Sequence, residues 1–207
     1  MRSSGNIVVS VRSFAEASQA VRIADIIEFR LDLFPSFPNY TRIRTEKPSI
    51  VTIRRKEDGG RFEESEEKRL KLLMNYSKYS DFVDIETDVD DDTFLKFEKV
   101  KIVESYHNLS ETPEYEVLVD IVEGKRGDYI KIATMGNSKD DVLKIVKLLV
   151  EYEGVIAFLL GKNFAYTRIF SFILGSPFIY CTISTPIAPG QYDIYTARKI
   201  LKSMGVI

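Results

Sequence analysis

The chain has 207 residues, 44% of them hydrophobic and 29% charged, which is material for one sizeable core and not the composition of a disordered chain. Its 29 basic and 31 acidic residues leave a formal net charge of −2, so it carries no electrostatic footprint for nucleic acid. A single cysteine, Cys181, rules out an intrachain disulfide framework, and the apolar run around it predicts a buried thiol.

Taken in chain order, residues 1–6 lead straight into an apolar run without the apolar core and cleavage site of a signal peptide. That run, 6–11, reads as a strand. Ser13 with Glu16 then makes a capping box ahead of Ala17, Ala20, Val21 and Ala24. A second strand spans 26–31. Residues 34–47, with Pro35 and Pro38, predict a short or degenerate helix. A third strand, 49–54, precedes a charged helix that begins near Glu64 and is striped by Leu70, Leu73 and Met74. Strands at 82–86 and 101–106 follow. Thr112-Pro113-Glu114 supplies an N-cap, a first-turn proline and an acidic first turn. After a strand at 129–133, Ser138 and Asp141 open a helix over 142–149. Strands at 155–160 and 178–183 come next, and a last helix beyond Gly190 carries Tyr192, Tyr195, Ile200 and Leu201.

The strand runs are near-continuous rather than alternating, as expected of strands buried on both faces of a parallel sheet. The most apolar stretch, 169–183, is broken by Gly175-Ser176-Pro177 and falls short of the ~20 residues of a membrane helix, so no membrane partner and a cytoplasmic location are expected. Eight strands alternating with helices across short links predict either an open doubly wound sheet or a (β/α)8 TIM barrel. Val11-Arg12-Ser13 stands where a dinucleotide-binding sheet has its glycine-rich turn, which favours a compact, single-domain barrel over residues 1–207.

Barrels carry their chemistry at the C-terminal ends of the strands. Those ends present Glu28, Arg30 and Asp32, then Arg54, then Asp84 and Glu86, then His107, with Lys131 inside its own strand. A lysine within Tyr129-Ile130-Lys131-Ile132-Ala133 either faces solvent at an edge or works in the mouth as an amine nucleophile, where burial and cations such as Arg54 and Arg168 would lower its pKa. His107, the only histidine, is placed one residue beyond the fifth strand and beside Lys131, a position suited to general acid–base work. One histidine and one buried cysteine do not supply the ligands of a metal centre, so neither metal nor cofactor is expected. The carboxylates Glu28, Asp32, Asp84 and Glu86 could together hold magnesium. The plainer expectation for them is salt bridges to Arg30 and Arg54.

The chain resembles type I 3-dehydroquinate dehydratases, the Schiff-base class of the shikimate pathway. The segments that carry the resemblance are Glu28-Phe29-Arg30-Leu31-Asp32, Thr52-Ile53-Arg54 with Asp58-Gly59-Gly60, Ser105-Tyr106-His107-Asn108, Lys131-Ile132-Ala133-Thr134-Met135, Leu174-Gly175-Ser176-Pro177 and Ala188-Pro189-Gly190-Gln191, in family order over nearly the whole chain. The resemblance implies a lyase that forms an imine between Lys131 and the C3 ketone of 3-dehydroquinate. His107 would shuttle the protons, and Asp58 would orient His107. It implies that Glu28, Arg30 and Arg54 hold ring hydroxyls, that Arg168 clamps the substrate carboxylate, that Gln191 lies on a closing lid, and that the enzyme is a homodimer. Asp58 stands where the family usually has glutamate, one methylene longer, so its loop must approach more closely or use water. Ile187 stands where serine is common, which removes one hydroxyl from the lid. Thr167-Arg168-Ile169-Phe170-Ser171 lacks the glycine often found after the arginine.

Other chemistries fit a lysine in a barrel mouth. An aldolase-like lyase would want a phosphate site, for which Gly161-Lys162 is suggestive but Asn163-Phe164 is not glycine-rich. A barrel that only binds its ligand, or a magnesium enolase-type enzyme, would leave Lys131 with His107 without a joint task.

Overall fold

The computed structural model describes residues 5–97 and 99–207. The first four residues, on which part of the leader-free reading of 1–6 rests, lie outside them. Eight strands, β1 (Asn6–Val11), β2 (Ile26–Arg30), β3 (Ser49–Thr52), β4 (Phe82–Glu86), β5 (Lys101–Asn108), β6 (Tyr129–Met135), β7 (Val155–Leu160) and β8 (Phe178–Cys181), form one parallel sheet. Its order is β7-β6-β5-β4-β3-β2-β1-β8. Because β1 pairs with both β2 and β8, the sheet curls into a nearly closed barrel, the remaining seam lying between β7 and β8. The helices are α1 (Phe14–Ala20), α2 (Glu66–Tyr76), α3 (Asp91–Leu95), α4 (Tyr115–Glu123), α5 (Lys139–Glu151), α6 (Tyr166–Ile173) and α7 (Ile194–Ser203). The TIM-barrel expectation holds.

Two apolar environments explain the unbroken strand runs. Alternate residues point outward, so that Val9, Ile27, Val51, Val83 and Ile179 pack under α1, α2 and α7, while Ile130, Ile132, Ala157 and Leu159 pack under α4 and α5. The intervening residues fill the barrel axis: Val8, Ile26, Ile50, Phe82, Val103, Ile156 and Phe178. Each fully buried Val, Leu, Ile or Phe stabilises the fold by about 1.5–3 kcal/mol relative to exposure, so both faces of a strand reward apolar residues.

The short or degenerate helix expected in 34–47 is a 3-10 turn at Tyr40–Ile43, capped by Asn39, while other local expectations change. The prolines of that span remove backbone donors, and a 3-10 turn is the piece of helix that remains. Thr112 does not cap α4. Its hydroxyl contacts that of Thr134 (2.9 Å) and donates to the Met135 carbonyl (2.9 Å), and Glu114 takes the cap position. Ser13 does accept from the Glu16 N–H, but the Glu16 carboxylate accepts from the Arg12 N–H instead of returning to Ser13. The full capping box appears at α5 with Ser138 and Asp141. Tyr192 lies before α7, which Asp193 caps.

Candidate active site

Because strands alternate, the axis is filled in layers, each drawn from alternate strands. The even strands β4, β6 and β8 first contribute Phe82, Tyr129 and Phe178. Their rings touch, with Phe82–Phe178 centroids 5.8 Å and Tyr129–Phe178 centroids 4.8 Å apart. Two residues nearer the mouth, the even strands contribute Glu28, Asp84, Lys131 and Tyr180. An apolar floor is thus followed at once by a layer of three ionisable side chains and a phenol, each at most 6% exposed.

Hydroxyls from the odd strands close over this layer. Ser10 and Thr52 donate to Glu28, the latter at 2.8 Å, and Ser105 donates to Asp84 at 2.7 Å. Lys131 Nζ donates to Asp84 Oδ2 at 2.5 Å and lies 5.0 Å from the centre of the Tyr180 ring. A lysine facing solvent at a strand edge is therefore not what the chain contains. Burial lowers the Lys131 pKa below its ordinary value, Asp84 opposes that shift, and Arg54 adds to it.

His107 lies within β5 rather than one residue beyond it. The β5–β6 ladder runs on through His107↔Ala133 to Asn108↔Thr134. Ser105 is the register partner of Lys131, so His107 sits one strand over and two residues nearer the mouth. Burial, with Arg54 and Lys131, pushes its pKa well below the ordinary value despite Asp84. The ring is therefore neutral near pH 7, and its Nδ1 is buried without a hydrogen-bond partner.

The carboxylates at the strand ends are taken by arginines, as the plainer expectation had it for three of the four. Arg30 bonds Asp32 through two nitrogens at 3.0 and 2.8 Å. Arg54 donates to Asp84 and to Glu86, each at 2.6 Å. Glu86 also pairs at 2.6 Å with Arg69, a fully buried residue of α2. Glu28 departs from the expectation and relies on hydroxyls.

Of the residues singled out from the sequence, Glu28, Arg30, Arg54, Asp58, His107, Lys131, Arg168 and Gln191 line a single pocket at the mouth, along with Ile187, whereas Asp32, Asp84 and Glu86 are not among its lining residues. The loop that carries Asp58 is folded hard against the end of β3, since a Cβ on Gly60 would fall 2.1 Å from the Arg54 carbonyl oxygen. There the Asp58 carboxylate accepts from Arg55 Nε at 2.6 Å and not from His107. Gln191 Oε1 accepts from the N–H groups of Ile187 (3.1 Å) and Ala188 (3.3 Å), so the backbone beside Ile187 is tied to the residue expected on the lid. Gly190 lets this loop cross: its φ is +77°, and a Cβ would meet the Gly161 carbonyl oxygen at 2.5 Å.

Arg168, on α6, is 3% exposed and its Nε has no hydrogen-bond partner. Its guanidinium lies 4.0 Å from the centre of the Phe158 ring, and burial pulls its pKa down to about 10. A buried cation with no carboxylate paired to it is costly, and the cost is relieved when an anion enters. Cys181, by contrast, is a buried thiol pushed up to about 12 by burial, which makes it inert.

One residue of the site, Tyr180, is not among the sequence candidates, and for another, Asp84, the sequence supplies the residue but not its partner. Asp84 was legible as a carboxylate, but its contact with Lys131 depends on strand register across three strands. Tyr180 was legible only from alternation, two residues after the inward Phe178.

The profile described as Type I 3-dehydroquinase matches residues 9–207. The 3-dehydroquinate dehydratase of Archaeoglobus fulgidus is 44% identical over 200 residues, covering 96% of this chain and 99% of its own. Among solved structures, the 3-dehydroquinate dehydratase from Geobacillus kaustophilus superposes with a TM-score of 0.84 at 24% identity, covering 98% of this chain and 92% of its own. That from Aquifex aeolicus gives 0.80 at 28% identity, covering 95% and 97%.

Proposed function

The chain belongs to the type I 3-dehydroquinase family, and on that premise we propose that it dehydrates 3-dehydroquinate to 3-dehydroshikimate, a step of the shikimate pathway, through an imine on Lys131. The observation that carries the proposal is the buried Lys131 with a lowered pKa, facing the same pocket as a neutral His107 and an Arg168 that no carboxylate pairs among the described residues.

Burial raises the neutral fraction of Lys131, and the amine adds to the C3 ketone of the substrate. Loss of water from the adduct leaves an iminium. His107, neutral and without a partner on Nδ1, removes a C2 proton, and the electron pair moves through the iminium to give an enamine. The enamine pair then expels the C1 hydroxyl, which takes the proton back from the imidazolium and departs as water. Hydrolysis of the product iminium frees the lysine. The water used there equals the water lost in forming the imine, so one water is released per turnover.

Arg168 takes the substrate carboxylate in this account, with a fork of donors suited to two oxygens. The positions of Glu28, Arg30 and Arg54 suit contacts to ring hydroxyls, with Glu28 the least encumbered by ion pairs. Asp58 is assigned to orienting His107 once the loop shifts its carboxylate from Arg55, and Gln191 to closing the pocket against water. The proposal includes a cytoplasmic homodimer, for which sedimentation reports the assembly. Among the described residues no helix is long and apolar enough to cross a membrane. Growth of enone absorbance when 3-dehydroquinate is added tests the reaction. Activity on sugar phosphates with none on dehydroquinate would replace it with an aldolase-like lyase.

A further inference from the structure

We propose that Asp84 is the counter-ion of the iminium on Lys131, holding the imine nitrogen protonated until the C1 hydroxyl has left. The inference rests on the imine reading above and adds a catalytic residue to it. Asp84 Oδ2 touches the reacting nitrogen at 2.5 Å, while Oδ1 accepts from Arg54 Nη2 at 2.6 Å and from Ser105 at 2.7 Å. The carboxylate is 1% exposed, so water does not dilute its charge.

Its anchorage extends beyond the layer. Arg54 is held by Glu86, and Glu86 by Arg69 on α2, giving a series of alternating charges from the barrel axis to the helical shell. Asp84 therefore stays where it is when the lysine changes its chemistry. The conversion of an ammonium and a ketone into an iminium and water leaves one positive charge on the same nitrogen. A fixed carboxylate pairs with both species without moving.

The proton matters because a neutral imine withdraws electrons weakly, and the C2 carbanion needs a cationic sink. The charged and titratable groups around the Lys131–Asp84 pair are Glu28, Arg54, Glu86, His107 and Tyr180. Of the two other carboxylates, Glu28 is engaged by Ser10 and Thr52, and Glu86 by two arginines. Asp84 alone among the described residues forms an ion pair with Lys131. Burial would raise the Asp84 pKa, but Arg54 and Lys131 outweigh it and hold it below the ordinary range, so it pairs with the proton without taking it.

The test is Asp84→Asn, followed by single-turnover elimination from the preformed imine across pH. Loss of an opposite charge at this distance should move the alkaline limb down by about 1–3 pH units. Borohydride should still trap the adduct on Lys131 at neutral pH. A structural defect alone would lower the rate evenly at all pH values, and an unmoved alkaline limb overturns the proposal. If Asp84→Asn does not fold, the wild-type imine with 3-dehydroshikimate decides: a C=N stretch that shifts in D2O at pH 9 marks the protonated form, and no shift overturns the assignment. Absence of any wild-type adduct overturns the imine reading, and the counter-ion falls with it. An adduct with an unmoved limb overturns only the role of Asp84.

Discussion

The guanidinium of Arg168 stacks on the ring of Phe158, 4.0 Å from its centre, and no carboxylate pairs with it among the described residues. Burial of that charge is endured by the free protein and useful only when an anion arrives. Replacing Arg168 with methionine should therefore raise the melting temperature by about 2–4 °C for each kcal/mol recovered. The same change should raise KM for dehydroquinate about 10–100-fold, the worth of a charge-assisted contact of about 1.5–3 kcal/mol, with a smaller effect on kcat. A melting scan and steady-state kinetics on one preparation check both signs. A fall in both stability and affinity would mean that Arg168 supports the fold.

His107 carries the pH prediction. Its pKa in the folded protein lies well below the usual value of about 6.5, mainly through burial. The neutral, proton-accepting form thus persists as pH falls through 6.5, and the acid limb of kcat/KM should appear only below that point. The unfolded chain takes up the proton first, so His107 should also cost stability as the pH drops below about 6.5. A kcat/KM profile on the wild type against His107→Ala measures the first effect. The variant should lose about 10²–10⁴-fold in kcat.

Arg69 is 0% exposed and links the buried series of charges that begins at Lys131 to the half-exposed Glu66 of its own helix. Arg69→Met leaves Glu86 buried with Arg54 as its remaining ion-pair partner. Breaking a buried pair on one side costs about 3–5 kcal/mol, which urea unfolding would register as a lower midpoint. A change under about 1 kcal/mol would show that Arg54 alone satisfies Glu86.

Tyr180 offers a contrast. Its hydroxyl is buried without a hydrogen-bond partner. Tyr180→Phe keeps the ring under Lys131 and removes an unsatisfied group, so stability should hold or rise by up to about 1–3 kcal/mol. Calorimetry checks it, and a marked loss of stability would point to a partner for the hydroxyl.

The barrel was legible because its strands are apolar on both faces, so β1, β4 and β7 are bounded in the structure as their hydrophobic runs predict. The runs fail where strands continue in polar residues. β5 extends through His107 and Asn108 because β6 supplies backbone partners there, and backbone pairing leaves no mark in hydropathy. Thr112 shows the same limit, since a threonine before a proline looks like a cap whether or not a neighbouring strand claims its hydroxyl.

In the site, position along the strands pointed to Lys131, Glu28 and Arg30, and the family motifs added Asp58, Arg168 and Gln191. What those signals could not supply was pairing between strands. Asp84 meets Lys131 across 47 positions of sequence, and Asp58 meets Arg55 rather than His107. Both facts follow from register and loop packing, which a one-dimensional pattern does not encode.

The central claim, an imine on Lys131, is tested by incubating the protein with 3-dehydroquinate and borohydride and locating the modified residue by peptide mass. The account predicts one reduced adduct per chain, on Lys131, absent from Lys131→Ala, which should also lose turnover. No adduct from an enzyme that turns over dehydroquinate, or an adduct on another lysine, would contradict it.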